Sequence, residues 1–412
     1  MKNAALLTAI LPLMVACSSN DKQSAGNKDS IQTSSAQELV LPAPDTNATK
    51  SKFSKVIGWP EGKTPVAPAG FTVTKFAEKI KNPRNIYIAP NGDVLVSLSS
   101  ANTILLFRDT NNDGKPEVQS AFLTSLNQPY GILIIGSSFF VANTDGIWRF
   151  PYKTGDTKIT EKGTKILELP TGGYNNHWTR NLIANEANSK IYVSVGSASN
   201  VAENGMENEK RRANILEINP DGSGEIIYAS GLRNPVGMAW APGTKTLWTA
   251  VNERDGLGDD LVPDYITSVK KGAFYGWPYS YFGQHEDPRL KGQRADLVKS
   301  AVVPDIAVGA HTATLGLTFY TDNKFPAKYQ GGAFLGQHGS WNRSELVGYK
   351  VAFIPFKAGV KSGEMEDFLT GFIADLDKGE VYGRPVGVAV AKDGALLVAD
   401  DGSNTIWRVA AK

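Results

Sequence analysis

The chain holds a single cysteine and four histidines, and its charge is nearly balanced, with 43 basic residues against 41 acidic. One cysteine, Cys17, excludes an intramolecular disulfide, a cysteine-based zinc site and a c-type haem attachment. A formal charge of +2 over 412 residues carries no nucleic-acid signature. The N-terminal apolar run, Ala4 to Val15, is too short for a transmembrane helix, which needs about 20 apolar residues. No Gly-rich phosphate loop, nucleophile elbow or His-Glu-x-x-His zinc motif is found.

What is there begins with a targeting segment. Lys2, the apolar run and Met14-Val15-Ala16-Cys17 resemble the lipobox of bacterial lipoproteins, with Cys17 lipidated after cleavage. Ser18 after the cysteine suits sorting to the periplasmic side of an outer membrane. Residues 1–17 are therefore expected to be a signal peptide. Residues 18–68, rich in Ser, Asn, Lys, Thr and Pro, are expected to be a flexible tether, because such a segment buries too little apolar surface to offset its chain entropy. Residues 69–412 remain as the folded domain.

Forty-one glycines and many short apolar runs point to an all-β protein with numerous turns. One strand pattern recurs six times, with a glycine-like anchor at Asn85, Gly131, Asn181, Gly237, Gly316 and Gly387. Anchors 46, 50 and 56 residues apart match one four-stranded blade each, and the longer intervals of 79 and 71 carry insertions. Asn91-Gly92 and Asp393-Gly394 are hairpin turns. Only three strands fit after Gly387, so Phe71 to Phe76 is expected to supply the missing one and close the ring. The expected fold is a six-bladed β-propeller.

In that fold the residues preceding each first strand share one mouth of the central channel. Arg84, His177, Arg180, Arg233, Asn234 and Arg384 are thereby expected on one rim, although up to 300 residues separate them. Arginines gathered around a histidine suit a polyanionic ligand. The segment Gly172 to Leu182, with Asn176, His177 and Arg180, reads either as a polar turn or as the lip of a pocket.

Residues His177 to Leu182, Gly231-Leu232-Arg233-Asn234-Pro235-Val236-Gly237 and Gly383-Arg384-Pro385-Val386-Gly387-Val388 resemble the soluble glucose/sorbosone dehydrogenase family. Asn252 to Asp260 and Gly339-Ser340-Trp341-Asn342-Arg343 resemble its sorbosone-dehydrogenase-like branch. The resemblance implies a six-bladed propeller that binds pyrroloquinoline quinone with Ca²⁺ and oxidises aldoses. It implies that His177 is the general base and that Arg233, Asn234 and Arg384 contact the cofactor, with Arg84 and Arg180 on the same rim. It implies calcium at the loop containing Arg254 and Asp255 through backbone carbonyls, and a further calcium at Asp259 and Asp260. The glucose-oxidising members carry an aspartate before the histidine where this chain has Asn176. They bring a lysine from the fifth blade where this chain offers Arg343. The implied partners are a sugar, a respiratory-chain electron acceptor and a membrane reached through a lipid anchor alone.

Asp109 to Gly114 reads first as a hairpin turn and second as a peripheral calcium loop, since Ser120 replaces the glutamate that closes such loops. His285 and His311 are expected to border the entrance. Trp148, Trp240, Trp248 and Trp407 are expected to pack. Two rival functions remain, a metal-dependent lactonase and a non-catalytic carbohydrate- or protein-binding propeller.

Overall fold

The computed structural model describes residue 1 and residues 39–46, 50–172 and 177–412. Cys17, expected to be lipidated, and Asn176, expected beside the base, lie outside the described residues. Helix is scarce: the one α-helix among the described residues is Ala295–Ser300. None is long and apolar enough to cross a membrane.

Alternating and fully apolar runs fold into six four-stranded antiparallel sheets. The first contains Pro83–Ile88, Val94–Leu98, Thr103–Arg108 and Val118–Leu123. The second contains Ile132–Ile135, Ser138–Asn143, Gly146–Pro151 and Thr164–Glu168. The third contains Arg180–Ala184, Ile191–Val195, Asn214–Ile218 and Ile226–Ser230. The fourth contains Pro235–Trp240, Leu247–Val251, Pro263–Ser268 and Ile306–Ala310. The fifth contains Thr314–Phe319, Ala333–Gln337, Lys350–Ile354 and Glu366–Leu369. In the sixth, Pro385–Val390, Leu396–Asp400 and Thr405–Ala411 take Phe71–Glu78 as their outer strand, in register from Phe71 opposite Ala411. The expected closure by an N-terminal strand is therefore present.

Successive sheets pack face to face, each pair burying one apolar cluster. Phe122 and Phe139 meet between the first and second sheets, Phe140 and Val193 between the second and third. Ile215 and Tyr265 join the third to the fourth, and Trp248 and Phe319 the fourth to the fifth. Phe353 and Trp407 lie between the fifth and sixth, and Leu397 and Phe107 bring the sixth against the first.

The six anchor residues explain how the first strands come so close. Asn85 Nδ2 donates to Tyr130 O at 3.1 Å, and Asn181 Nδ2 donates to Val236 O at 2.8 Å. At the other four anchors a Cβ would overlap a neighbouring strand: Gly131 meets Arg180–Leu182, Gly237 meets Leu317, Gly316 meets Val386 and Gly387 meets Arg84. Small or bridging residues recur because no other side chain fits there.

The expected tether differs from what is observed over its described part. Lys55–Val56 pairs in parallel with Glu380–Val381. Trp59 packs on Trp407, Phe372 and Tyr382, and its Nε1 donates to Asp400 at 3.1 Å. Leu39 and Leu41 rest on the cluster between the third and fourth sheets. The polar composition conceals a few apolar residues, and these dock because the folded body supplies surfaces that the segment lacks.

Candidate active site

A meander fixes which segments meet. The start of each first strand and the end of each second strand lie at the same end of a sheet, because neighbouring strands are antiparallel. At that end a cavity of about 540 Å³ is lined by Arg84, His177, Arg233, Asn234, Arg384 and, among others, Glu253, Asp264 and His338.

His177 is buried just ahead of the third sheet's first strand, and its Nδ1 lies 2.9 Å from Ser197 Oγ and 3.1 Å from Ser197 O. The Ser197 hydroxyl already donates to Ser199 O at 2.6 Å, so both of its oxygens facing the imidazole are acceptors. Nδ1 therefore carries the proton and Nε2 keeps its lone pair, the tautomer a base requires. Burial, then the positive charge of Arg233, hold the imidazole well below its ordinary value near 6.5, with Asp255 opposing.

Two buried arginines pin the loop that carries His177. Arg180 donates to His177 O at 2.8 Å, Thr179 O at 2.9 Å and Pro170 O at 3.0 Å. Arg212 donates to Gly196 O at 3.0 Å, Gly172 O at 3.1 Å and Ser197 O at 3.2 Å. Burial, then Arg212, push Arg180 down to about 9. Arg180 was expected on the ligand rim. It does not line the cavity, because its guanidinium is committed to backbone carbonyls.

Arg233 is likewise committed. Its side chain donates to Asn200 O (3.0 Å), Asn200 Oδ1 (2.9 Å), Asn252 O (3.2 Å), Glu253 O (2.5 Å) and Asp255 Oδ2 (3.3 Å). It lines the cavity as a strut for the 252–255 loop. Asn234 stands beside it with Oδ1 buried and unpartnered. Arg84 pairs with Asp401 at 2.5 Å, lies 5.4 Å over the Trp178 ring and leaves Nε buried and unpartnered. Arg384 donates to His338 O and Gly339 O, each at 3.1 Å, and its guanidinium lies 5.5 Å over the Tyr349 ring.

His338 Nε2 lies 2.8 Å from Asp401. Burial, then Arg384, push His338 down to about 4, against the pull of Asp401. Against the cost of burial, His338 and Arg84 hold the Asp401 carboxyl well below the usual carboxylate range. On the opposite wall, burial pushes Glu253 up to about 7 and Asp264 up to about 6. Asp264 accepts from the Glu253 and Ala313 amides at 2.8 Å each.

The residues expected at calcium separate. Asp255 lines the cavity and contacts Arg233, His311 and Asn342. Arg254 turns its side chain to Asp287 at 3.2 Å, so only its carbonyl is chemically suited to a cation. Asp259 accepts from Ser344, and exposed Asp260 lies 3.4 Å from Arg343. Asp259, Asp260 and Arg343 do not line the cavity. His311 does, whereas His285 is exposed and stacks on Tyr281. Asp109, Asp113 and Glu117 bring carboxylates within 4.8 Å of one another, but their oxygens accept from the turn's own amides.

Ser197, Arg212, Asp264, His338 and Asp401 were not singled out from sequence. His338 and Asp401 directly follow second strands, Ser197 lies two positions past one and Asp264 is the second residue of a third, so the meander geometry marks them. Arg212 lies in an irregular segment with no repeat signal.

This fold is shared with propeller-like sugar dehydrogenases of known structure. The holo form of the pyranose dehydrogenase PQQ domain from Coprinopsis cinerea superposes with a TM-score of 0.72 at 20% identity, covering 87% of this chain and 100% of that one. The calcium structure of a Trichoderma reesei AA12 enzyme gives 0.71 at 19% identity, covering 84% of this chain and 97% of that one. The chain belongs to the TrAA12-like family, whose model matches residues 65–279 and 284–412. An uncharacterized protein of Borreliella burgdorferi is 30% identical over 353 residues, 83% of this chain and 89% of that protein. The aldose sugar dehydrogenase of Escherichia coli is 25% identical over 194 residues, 44% of this chain and 50% of that enzyme.

Proposed function

We propose that this protein is a quinoprotein dehydrogenase that oxidises aldoses or related sugars, including sorbosone-like aldehydes, with His177 as general base. The six sheets are read as six blades of one propeller, with the cavity at the mouth of its channel. The observation that carries the reading is His177 Nε2, kept unprotonated by Ser197 beside a cavity that also presents Arg84 and Arg384.

The residues suit pyrroloquinoline quinone, whose carboxylates match guanidinium donors. Arg84 Nε and Asn234 Oδ1 are buried without partners, and the Arg384 guanidinium's hydrogen bonds among the described residues go to two carbonyls, so each has capacity for a ligand. Glu253, Asp264 and the carbonyls of the 252–255 loop are oxygen donors of the kind Ca²⁺ takes. When bound, the quinone with its Ca²⁺ supplies the hydride acceptor. The chain's own part is to hold the sugar hydroxyl at Nε2 and to take its proton as the adjacent carbon gives up hydride. An imidazole held neutral by burial is ready for that step at neutral pH.

Calcium-dependent reduction of a dye by an aldose panel, after cofactor is added, tests the reading. His177→Ala should lower kcat at least about 10²-fold, the contribution of a general base, while cofactor titration by absorbance stays intact. No cofactor binding by the wild type rejects it. Glu253 and Asp264 favour a second reading, the metal-dependent lactonase, because two buried carboxyls face the same cavity. Lactone hydrolysis that survives His177→Ala but not chelation selects that reading instead.

The remainder rests on the pattern ending at Cys17: a lipid-anchored protein of the cell envelope, on the periplasmic side of an outer membrane, passing electrons to a respiratory-chain acceptor. Mass spectrometry of the mature N-terminus tests the anchor, and a Cys17→Ser chain should leave the membrane fraction.

A further inference from the structure

The cavity changes character from its inner end to its mouth. His177, Arg233 and Asn234 are 7%, 3% and 5% exposed, whereas Phe53 and Trp341 on the same lining are 70% and 40% exposed. These two rings stack at 5.6 Å with planes 17° apart. Phe53 belongs to the N-terminal arm, and backbone bonds fix the arm around it. Asp45 N donates to Leu257 O at 3.0 Å, Lys52 N to Trp341 O at 2.9 Å, Lys55 N to Gly379 O at 2.8 Å and Ile57 N to Val381 O at 2.8 Å. The arm thus holds an apolar ring at a polar mouth, where it is covered only in part and gains little from burial.

We propose that Phe53 and Trp341 form a saccharide subsite that stacks on the second ring of a disaccharide or longer sugar whose reducing ring reaches His177. The inference rests on the dehydrogenase reading for the position of the reducing ring. Pyranose rings present a face of C–H groups that suits an aromatic surface, while their hydroxyls suit the amide and guanidinium groups further in. The N-terminal arm is then a specificity element: it adds affinity for longer sugars and leaves the inner chemistry untouched.

The test compares matched pairs that share a reducing ring: glucose with cellobiose, mannose with mannobiose, xylose with xylobiose. The full chain carries Phe53→Ala or Phe53→Tyr. Phe53→Ala should raise KM for the preferred disaccharide about tenfold, the scale of one aromatic contact. Its kcat, and KM for the monosaccharide, should stay within about twofold, and Phe53→Tyr should restore the wild-type values. An equal change for both members of each pair, or none, overturns the subsite. Binding is read separately by tryptophan fluorescence in the His177→Ala background, without turnover. If no sugar is oxidised yet disaccharide binding still depends on Phe53, the subsite stands and the dehydrogenase reading falls. If none of the disaccharides binds more tightly than its monosaccharide, the subsite falls, whatever the activity.

Discussion

His177, the proposed base, shows how much of a side chain's chemistry is decided by its neighbours. Ser197 sets its tautomer, burial and Arg233 keep it neutral, and Arg180 and Arg212 hold the loop that presents it. A base is active when unprotonated, and burial holds the proposed base well below 6.5. The kcat/KM profile should therefore stay level from pH 8 through 6.5 and fall only in more acidic buffer. A fall centred at 6.5 contradicts the burial argument. Gly196 is the tightest point of this arrangement, since a Cβ there would overlap Asn234 Oδ1 and His177 Cβ. Gly196→Ala should cost about 1–3 kcal/mol in urea unfolding, as overpacking does, and should depress activity far beyond its effect on folding. Arg212→Lys tests the loop anchor. One ammonium cannot make the guanidinium's planar set of contacts, so kcat should drop about tenfold with KM little changed.

At the scale of elements, the N-terminal arm departs most from its composition. Trp59 belongs to a segment of polar composition, yet its side chain sits against Trp407, Phe372 and Tyr382 and donates to the buried Asp400. Trp59→Ala should destabilise the protein by about 2–4 kcal/mol, somewhat under a fully buried tryptophan, measured by urea denaturation. A change under about 0.5 kcal/mol, the scale of surface substitutions, means the arm is only loosely attached. The strands were easier to read than the arm. Hairpin pairs such as Asn91-Gly92 and the six anchors locate the first and second strands. The fourth strand of the fourth sheet, Ile306–Ala310, is separated from the third by an insertion that periodicity does not resolve.

For the whole molecule, the contacts that bring distant sheets together are also those that respond to pH. His338, at the end of the fifth sheet's second strand, meets Asp401 from the sixth sheet, which in turn pairs with Arg84 from the first, and burial pushes His338 down to about 4. A histidine whose folded value lies below its unfolded one leaves the unfolded chain holding more protons in that interval. Stability is therefore full above pH 6.5 and falls as pH drops toward 4, by up to about 1.4 kcal/mol per pH unit for one proton. Asp401, held low, adds its own loss only below about pH 3.8, its unfolded value. His338→Gln should flatten the loss between pH 6.5 and 4 by up to one proton, read from urea midpoints across pH. An unchanged slope rejects the assignment.

The repeat of small anchors, the hairpin turns and the spare strand at Phe71 were enough to specify an all-β chain of four-stranded units closing on its own N-terminus. Local chemistry dictates these features: glycine or asparagine where backbones nearly touch, alternating apolar residues where a sheet has a buried face. The role of His177 as base came from the family resemblance, whereas its place on the rim was legible for the same reason, since it precedes an anchor. Which arginines face the cavity was not. Arg84, Arg180, Arg233 and Arg384 occupy similar repeat positions, but the tertiary structure commits Arg180 to carbonyls, makes Arg233 a strut, pairs Arg84 with Asp401 and sets Arg384 between two carbonyls and the Tyr349 ring. Most of those partners lie 10 to more than 300 positions away, and a guanidinium's partners are set by what the fold brings within about 3 Å of it.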